Sequence, residues 1–130
     1  MDTNYRTQPN DRIIWGISMG DIFALSVLFN KTHLFNCYIV MAPAFVIGET
    51  MFLDYEEALA VGSLPCEVRL FVSVGSLDDD FAPNAVAFME ALAIRKLPNL
   101  KFQTSVMEGL GHSSVNVPAL YYGIEAIYKM

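Results

Sequence analysis

The sequence predicts one α/β domain, a three-layer α/β/α sandwich around a mostly parallel sheet of about four strands. Three observations carry this. Short apolar runs alternate with stretches of helical spacing, the pattern of βαβ units. The runs are near-continuous rather than alternating, as strands covered on both faces should be. The 130 residues are 54% apolar and only 17% charged, against about 25% charged in an average soluble chain. A chain this apolar is not disordered. At this length it either buries its strands on both faces or hides surface against something else.

The elements follow in order. Asp11 and Arg12 precede Ile13-Ile14-Trp15, a β-forming run that ends at Gly16. From Asp21, the residues Ile22, Leu25, Ser26 and Phe29 follow helical spacing, and Asn30 closes the stretch. Cys37 to Ala42 is a second strand, stopped by Pro43. Tyr55 to Val61 suggests a short helix before Gly62 and Pro65. Val68 to Val74 is a third strand, ended by Gly75. Pro83 to Lys96 is a second long helix through Val86, Met89 and Ala93, with Arg95 and Lys96 where the helix dipole favours cations. Lys101 to Met107 is a fourth strand, and Pro118 opens a terminal helix through Leu120, Ile124 and Ile127.

Composition excludes several functions. Eight basic and 14 acidic residues give a net charge of −6, which leaves no basic stripe for nucleic acid or an anionic membrane surface. The densest apolar run, Cys37 to Gly48, is broken by Pro43 and falls short of the ~20 residues a spanning helix needs. The first residues have no apolar signal-peptide core, so a cytoplasmic location is expected. Two cysteines, Cys37 and Cys66, make no disulfide framework and read as buried thiols beside apolar runs. No metal-ligand cluster is spaced for binding. Gly109-Leu110-Gly111 follows a strand but lacks the third glycine of a dinucleotide loop, and no phosphate-loop lysine exists.

In a parallel sheet, chemistry collects beyond the C-terminal ends of the strands. Those ends read Gly16-Ile17-Ser18-Met19-Gly20, Gly75-Ser76-Leu77-Asp78-Asp79 and Glu108-Gly109-Leu110-Gly111-His112. Serine, acid and histidine thus stand on three different ends. A serine hydroxyl needs a base to remove its proton. It must also be lifted clear of the sheet, which a sharp strand-to-helix turn does at the cost of backbone strain. Gly16 and Gly20 are expected to relieve the crowding of that turn. The helix after Ser18 aims its first amides where an oxyanion would develop. His112 is placed to serve as the base. His33, in a polar turn, reads as solvent-exposed. Asp78, Asp79 and Asp80 are consecutive. One of them should orient the imidazole; Asp78, earliest after the strand, is favoured, and the others suit a helix start.

These residues resemble a known group. Tyr5-Arg6-Thr7, Asp11-Arg12 and Gly16-Ile17-Ser18-Met19-Gly20 are similar to the nucleophile-elbow region of the esterase family of α/β-hydrolases, in its enterochelin-esterase-like (siderophore esterase) and esterase D-like branch. Leu34-Phe35, Pro43, and Gly75 with an acid three residues on fit the same pattern. The most specific match is Gly111-His112-Ser113-Ser114-Val115, with Pro118-Ala119-Leu120 and Gly123-Ile124. The resemblance implies a single partial α/β-hydrolase domain over 1–130, running from the elbow to the C-terminus. It implies Ser18 as nucleophile, His112 as base, Asp78 as acid, an acyl or siderophore-lactone ester as substrate, and no cofactor. The family usually has histidine and a second glycine where Ile17 and Asp21 stand. A carboxylate at Asp21 would oppose an oxyanion. Many members carry an aromatic pair after the proline, where Phe45 stands alone. The family's upstream strands, one of whose loops supplies a second oxyanion amide, have no counterpart, which leaves the Met19 amide. The alternative expectation is therefore an impaired hydrolase fragment. Without upstream strands, the first strand would be an apolar edge, and self-association near Trp15 is expected.

Overall fold

The computed structural model describes residues 3–45 and 64–130. Four strands form one sheet in the order β1 (Ile13–Ile17), β2 (Cys37–Met41), β3 (Val68–Gly75), β4 (Leu100–Met107), and every neighbouring pair is parallel. Helix α1 (Met19–Asn30), a 3-10 turn (Thr32–Leu34), α2 (Ala82–Arg95) and α3 (Asn116–Lys129) complete the described elements. This is the α/β architecture that the alternating runs predict. The expected helix over Tyr55 to Val61 lies outside the described residues.

Alternation along β2 assigns its side chains to two cores. Tyr38 and Val40 join Leu70 and Val72 of β3 under α1 and α2, where Leu25, Leu28, Phe88 and Leu92 are buried. Cys37, Ile39 and Met41 join Phe71 on the opposite face, under Ala119, Ala126 and Ile127 of α3. All five β2 residues are buried, which explains the unbroken apolar run. Each fully buried large apolar side chain contributes about 1.5–3 kcal/mol. Helix α3 lies so close to the sheet that a Cβ at Gly123 would sit 2.8 Å from Ile39 and 2.9 Å from Phe71.

Several boundaries differ from the periodic pattern. Helix α1 starts at Met19, directly after Ser18, rather than at Asp21. Helix α3 starts at Asn116, since a proline in the first turn gives up no intrahelical hydrogen bond. Cys66 is exposed, not buried as its sequence context suggested; Cys37 is buried. Cys66 lies in the approach to β3, before the buried run begins at Val68.

Asp11 ties the start of β1 to the rest of the sheet. Its carboxylate accepts from Arg69 at 3.2 Å and from the Tyr128 hydroxyl at 3.1 Å. Arg69 also donates to the Ile127 carbonyl at the end of α3. On its other side β1 has no neighbour among the described residues. Ile13 packs into the α3-side core, and alternation puts Trp15 and Ile17 on that same face, where they are 56% and 41% exposed. No helix among the described residues is long and apolar enough to cross a membrane.

Candidate active site

Ser18 occupies the turn between β1 and α1 with φ 57° and ψ −112°, a strained conformation for a residue with a Cβ. The strain is held by backbone bonds. The Ser18 amide donates to the Met41 carbonyl, and the Ser18 carbonyl accepts from Asp21 and Ala44. Gly16 is required: a Cβ there would lie 2.5 Å from the backbone of Gly20 and 2.6 Å from the Asp21 amide. Gly20 does not share that role. A Cβ at Gly20 meets nothing within 4 Å among the described residues, because the second helical position points away from the strand. Met19 is the first residue of α1, and the first amides of a helix have no intrahelical acceptor.

The acid and the histidine come from β3 and β4, whose following loops are laced together. A Cβ at Gly75 would lie 2.1 Å from the Leu110 carbonyl oxygen. The Leu77 amide donates to that carbonyl, the Ser76 amide to Met107, and the Gly109 amide to the Ser76 hydroxyl. Gly109 takes φ 77°. The Gly111 amide then donates to the Ser114 hydroxyl, which shapes the entry to α3.

This lacing brings Ser18, Asp78 and His112 together. His112 Nδ1 lies 2.6 Å from Asp78 Oδ2, and His112 Nε2 lies 3.0 Å from Ser18 Oγ. A carboxylate only accepts, so the Nδ1 hydrogen donates to Asp78 and the bare Nε2 is left to take the serine proton. The Asp78 side chain is 3% exposed and the imidazole 34%. Asp79 and Asp80 are exposed, so Asp78 alone of the three reaches the imidazole. His33 is exposed and lies in the 3-10 turn.

Two residues carry features that sequence reading did not supply. Phe81, three residues after Asp78, stacks against the His112 ring with centroids 4.6 Å apart. Its amide also points at Asp78 Oδ1, at 3.4 Å. Nothing in its local pattern marks it. Asp21 was expected to bring a charge against the oxyanion. It is instead fully buried, and neither carboxyl oxygen has a hydrogen-bond partner among the described residues. Burial pushes its pKa from 3.8 up to about 8, and the nearby backbone of Met41 and Ser18, outside hydrogen-bond geometry, offsets this only in part. Burial thus favours the uncharged carboxyl, which weakens the expected opposition to an oxyanion.

Ser18 is half-buried, with Met19 53% exposed beside it. A cleft of about 360 Å³ lies between β4 and α3, lined by Phe71, Met107, Leu110 and Tyr122, and another of about 320 Å³ lies at the opposite end of the sheet beside Arg12 and His33. Neither includes Ser18.

A family model described as "Putative esterase" matches residues 1–118. Among solved structures, the chain is similar to the BES protein from Bacillus cereus, with a TM-score of 0.84 and 27% identity over 97% of this chain and 49% of that one. It is also similar to an IroE-like serine hydrolase from Shewanella oneidensis, with a TM-score of 0.89 and 21% identity over 99% of this chain and 43% of that one. A siderophore hydrolase, EstA from Aspergillus nidulans, superposes with a TM-score of 0.67 and 22% identity over 87% of this chain and 46% of that one. The chain thus spans about half the length of these neighbours. No curated protein matches it.

Proposed function

The chain belongs to the esterase family, and from that premise we propose that it is a serine hydrolase of carboxylic esters, siderophore lactones and simple acyl esters among them. One observation carries the reading: a strained serine at 3.0 Å from a histidine that is itself held at 2.6 Å by a buried aspartate. Ser18 Oγ attacks the ester carbonyl while its proton passes to His112 Nε2. Asp78 holds the ring in the required tautomer and stabilises the imidazolium that forms. The tetrahedral intermediate collapses, and the alcohol leaves with that proton. Water then attacks the acyl-enzyme and gives a proton to His112, which passes it to Ser18 Oγ as the acid is released.

The Met19 amide is the oxyanion donor in this scheme. Loss of one donor of a pair costs about 10²–10³-fold in turnover, so a second donor from another chain or segment sets the rate. The test is labelling by a fluorophosphonate probe together with hydrolysis of a short-chain aryl ester. Both signals are expected to vanish in Ser18→Ala. If neither exceeds that control in the parent chain, the esterase reading fails; if hydrolysis survives His112→Ala unchanged, the base is misassigned. We place this activity in the cytoplasm.

A second reading concerns assembly, and it is favoured by the open edge of β1. Between Ile13 and Ile17 there is no charge and no proline, the devices that usually blunt an edge. A two-fold axis would set two identical edges antiparallel, a self-complementary contact that covers Trp15 and Ile17. Light scattering should show a dimer that Trp15→Lys dissociates. A monomer at every concentration would refute it.

A further inference from the structure

We propose that Phe81 is a positioning residue for the catalytic histidine, holding the plane of the His112 ring through its own ring while its amide orients Asp78. The proposal rests on the esterase reading for its kinetic consequence, but its structural content stands apart from activity.

His112 is fixed by two bonds at opposite sides of its ring, Nδ1 to Asp78 and Nε2 to Ser18. Rotation about the Cβ–Cγ bond carries Nδ1 and Nε2 off both partners together, and these two hydrogen bonds alone do not lock the ring plane against it. The hydrogen-bonded loop fixes the backbone of His112, but its side chain is 34% exposed, so packing covers only part of the ring. A ring packed against the imidazole opposes that rotation. Phe81 is that group, with its centroid 4.6 Å away and its plane tilted by 41°, within the range of favourable aromatic contacts.

The second contact acts on the acid. Asp78 has two oxygens and the imidazole uses one. The Phe81 amide donates at 3.4 Å toward the other, Oδ1, and at 3.3 Å to the Asp78 carbonyl. This leaves Oδ2 facing the histidine. Phe81 is also the residue directly before α2, so a rigid element anchors both contacts. One residue thus fixes the acid through its backbone and the base through its side chain.

Substitution separates the two, because a side-chain change keeps the amide. Phe81→Ala, Phe81→Leu and Phe81→Tyr would be compared by aryl-ester kinetics and by the downfield proton resonance of the His112 imidazole. Phe81→Ala should lower kcat about tenfold, the worth of an aromatic contact, with KM unchanged. It should also broaden the Nδ1 proton by faster solvent exchange. Phe81→Leu should behave like Phe81→Ala, and Phe81→Tyr should restore both signals. Wild-type kcat and a sharp imidazole proton in Phe81→Ala would overturn the proposal, as would full function in Phe81→Leu. If the parent chain hydrolyses no ester, the esterase reading fails, and the proton resonance in the three folded variants alone decides the role of Phe81.

Discussion

Asp21→Asn isolates the cost of a buried carboxyl beneath the nucleophile. The carboxyl is 0% exposed in the fold and has no hydrogen-bond partner among the described residues. Its pKa rises from 3.8 to about 8 on folding. Between those values the folded state holds a proton that the unfolded state has released. Stability therefore falls as pH rises from about 4 to about 8, at about 1.4 kcal/mol per unit, and levels off above that. The span of about four units amounts to roughly 5 kcal/mol, comparable with the whole stability of a small domain. Asparagine keeps the shape and cannot ionise. Urea unfolding followed by far-ultraviolet circular dichroism should find the two proteins alike near pH 4. The variant should then gain steadily, up to several kcal/mol near pH 8. A difference that stays constant across that window would refute the reasoning, because it would mean that Asp21 ionises equally in both states.

Other perturbations test the rest of the site and its frame. Gly16→Ala forces a Cβ to 2.5 Å from the Gly20 backbone and should cost about 1–3 kcal/mol in denaturant titration. Gly20→Ala, in open space at a helical position, should be neutral or stabilise by up to about 1 kcal/mol. Asp78→Asn should leave the melting temperature nearly unchanged but reduce kcat for an aryl ester by about 10⁴-fold, since the imidazole loses its tautomer control. Asp11→Ala leaves the partly buried Arg69 without its carboxylate partner and should cost about 1–3 kcal/mol. In that variant the amides of β1 should lose hydrogen-exchange protection before those of β3.

What the sequence made legible follows from how local each cause is. Strands buried on both faces write themselves as apolar runs, so Cys37–Met41 and Val68–Gly75 could be read within a residue. The serine, the acid and the histidine were legible because strand ends concentrate chemistry, and Asp78 because it comes first after its strand. Features that depend on what arrives from elsewhere were not. Asp21 looks like a solvated helix-start charge, and tertiary packing buries it completely. Gly20 sits in the motif beside Gly16, yet only Gly16 faces the backbone that crosses it. Cys66 lies two residues before a buried strand and still faces solvent. Phe81 belongs to the site through a histidine 31 positions away in the chain, a relation that no periodicity encodes.

The contact between His112 and Ser18 closes a loop of 94 residues, and it does so across a sheet with no local pairing. Every strand joins its neighbour in parallel, so each must wait for a crossover before it can dock. Such non-local order folds slowly. Ser18 follows the first described strand and His112 lies in the loop after the last, so no partial sheet brings the two together. The Ser18–His112 contact therefore needs the whole described sheet in place. A refolding chain should regain its helical signal first and accept a serine-directed probe only after β4 has paired. That contact is in this sense a gauge of completed assembly, formed only when the first and last described strands share one sheet.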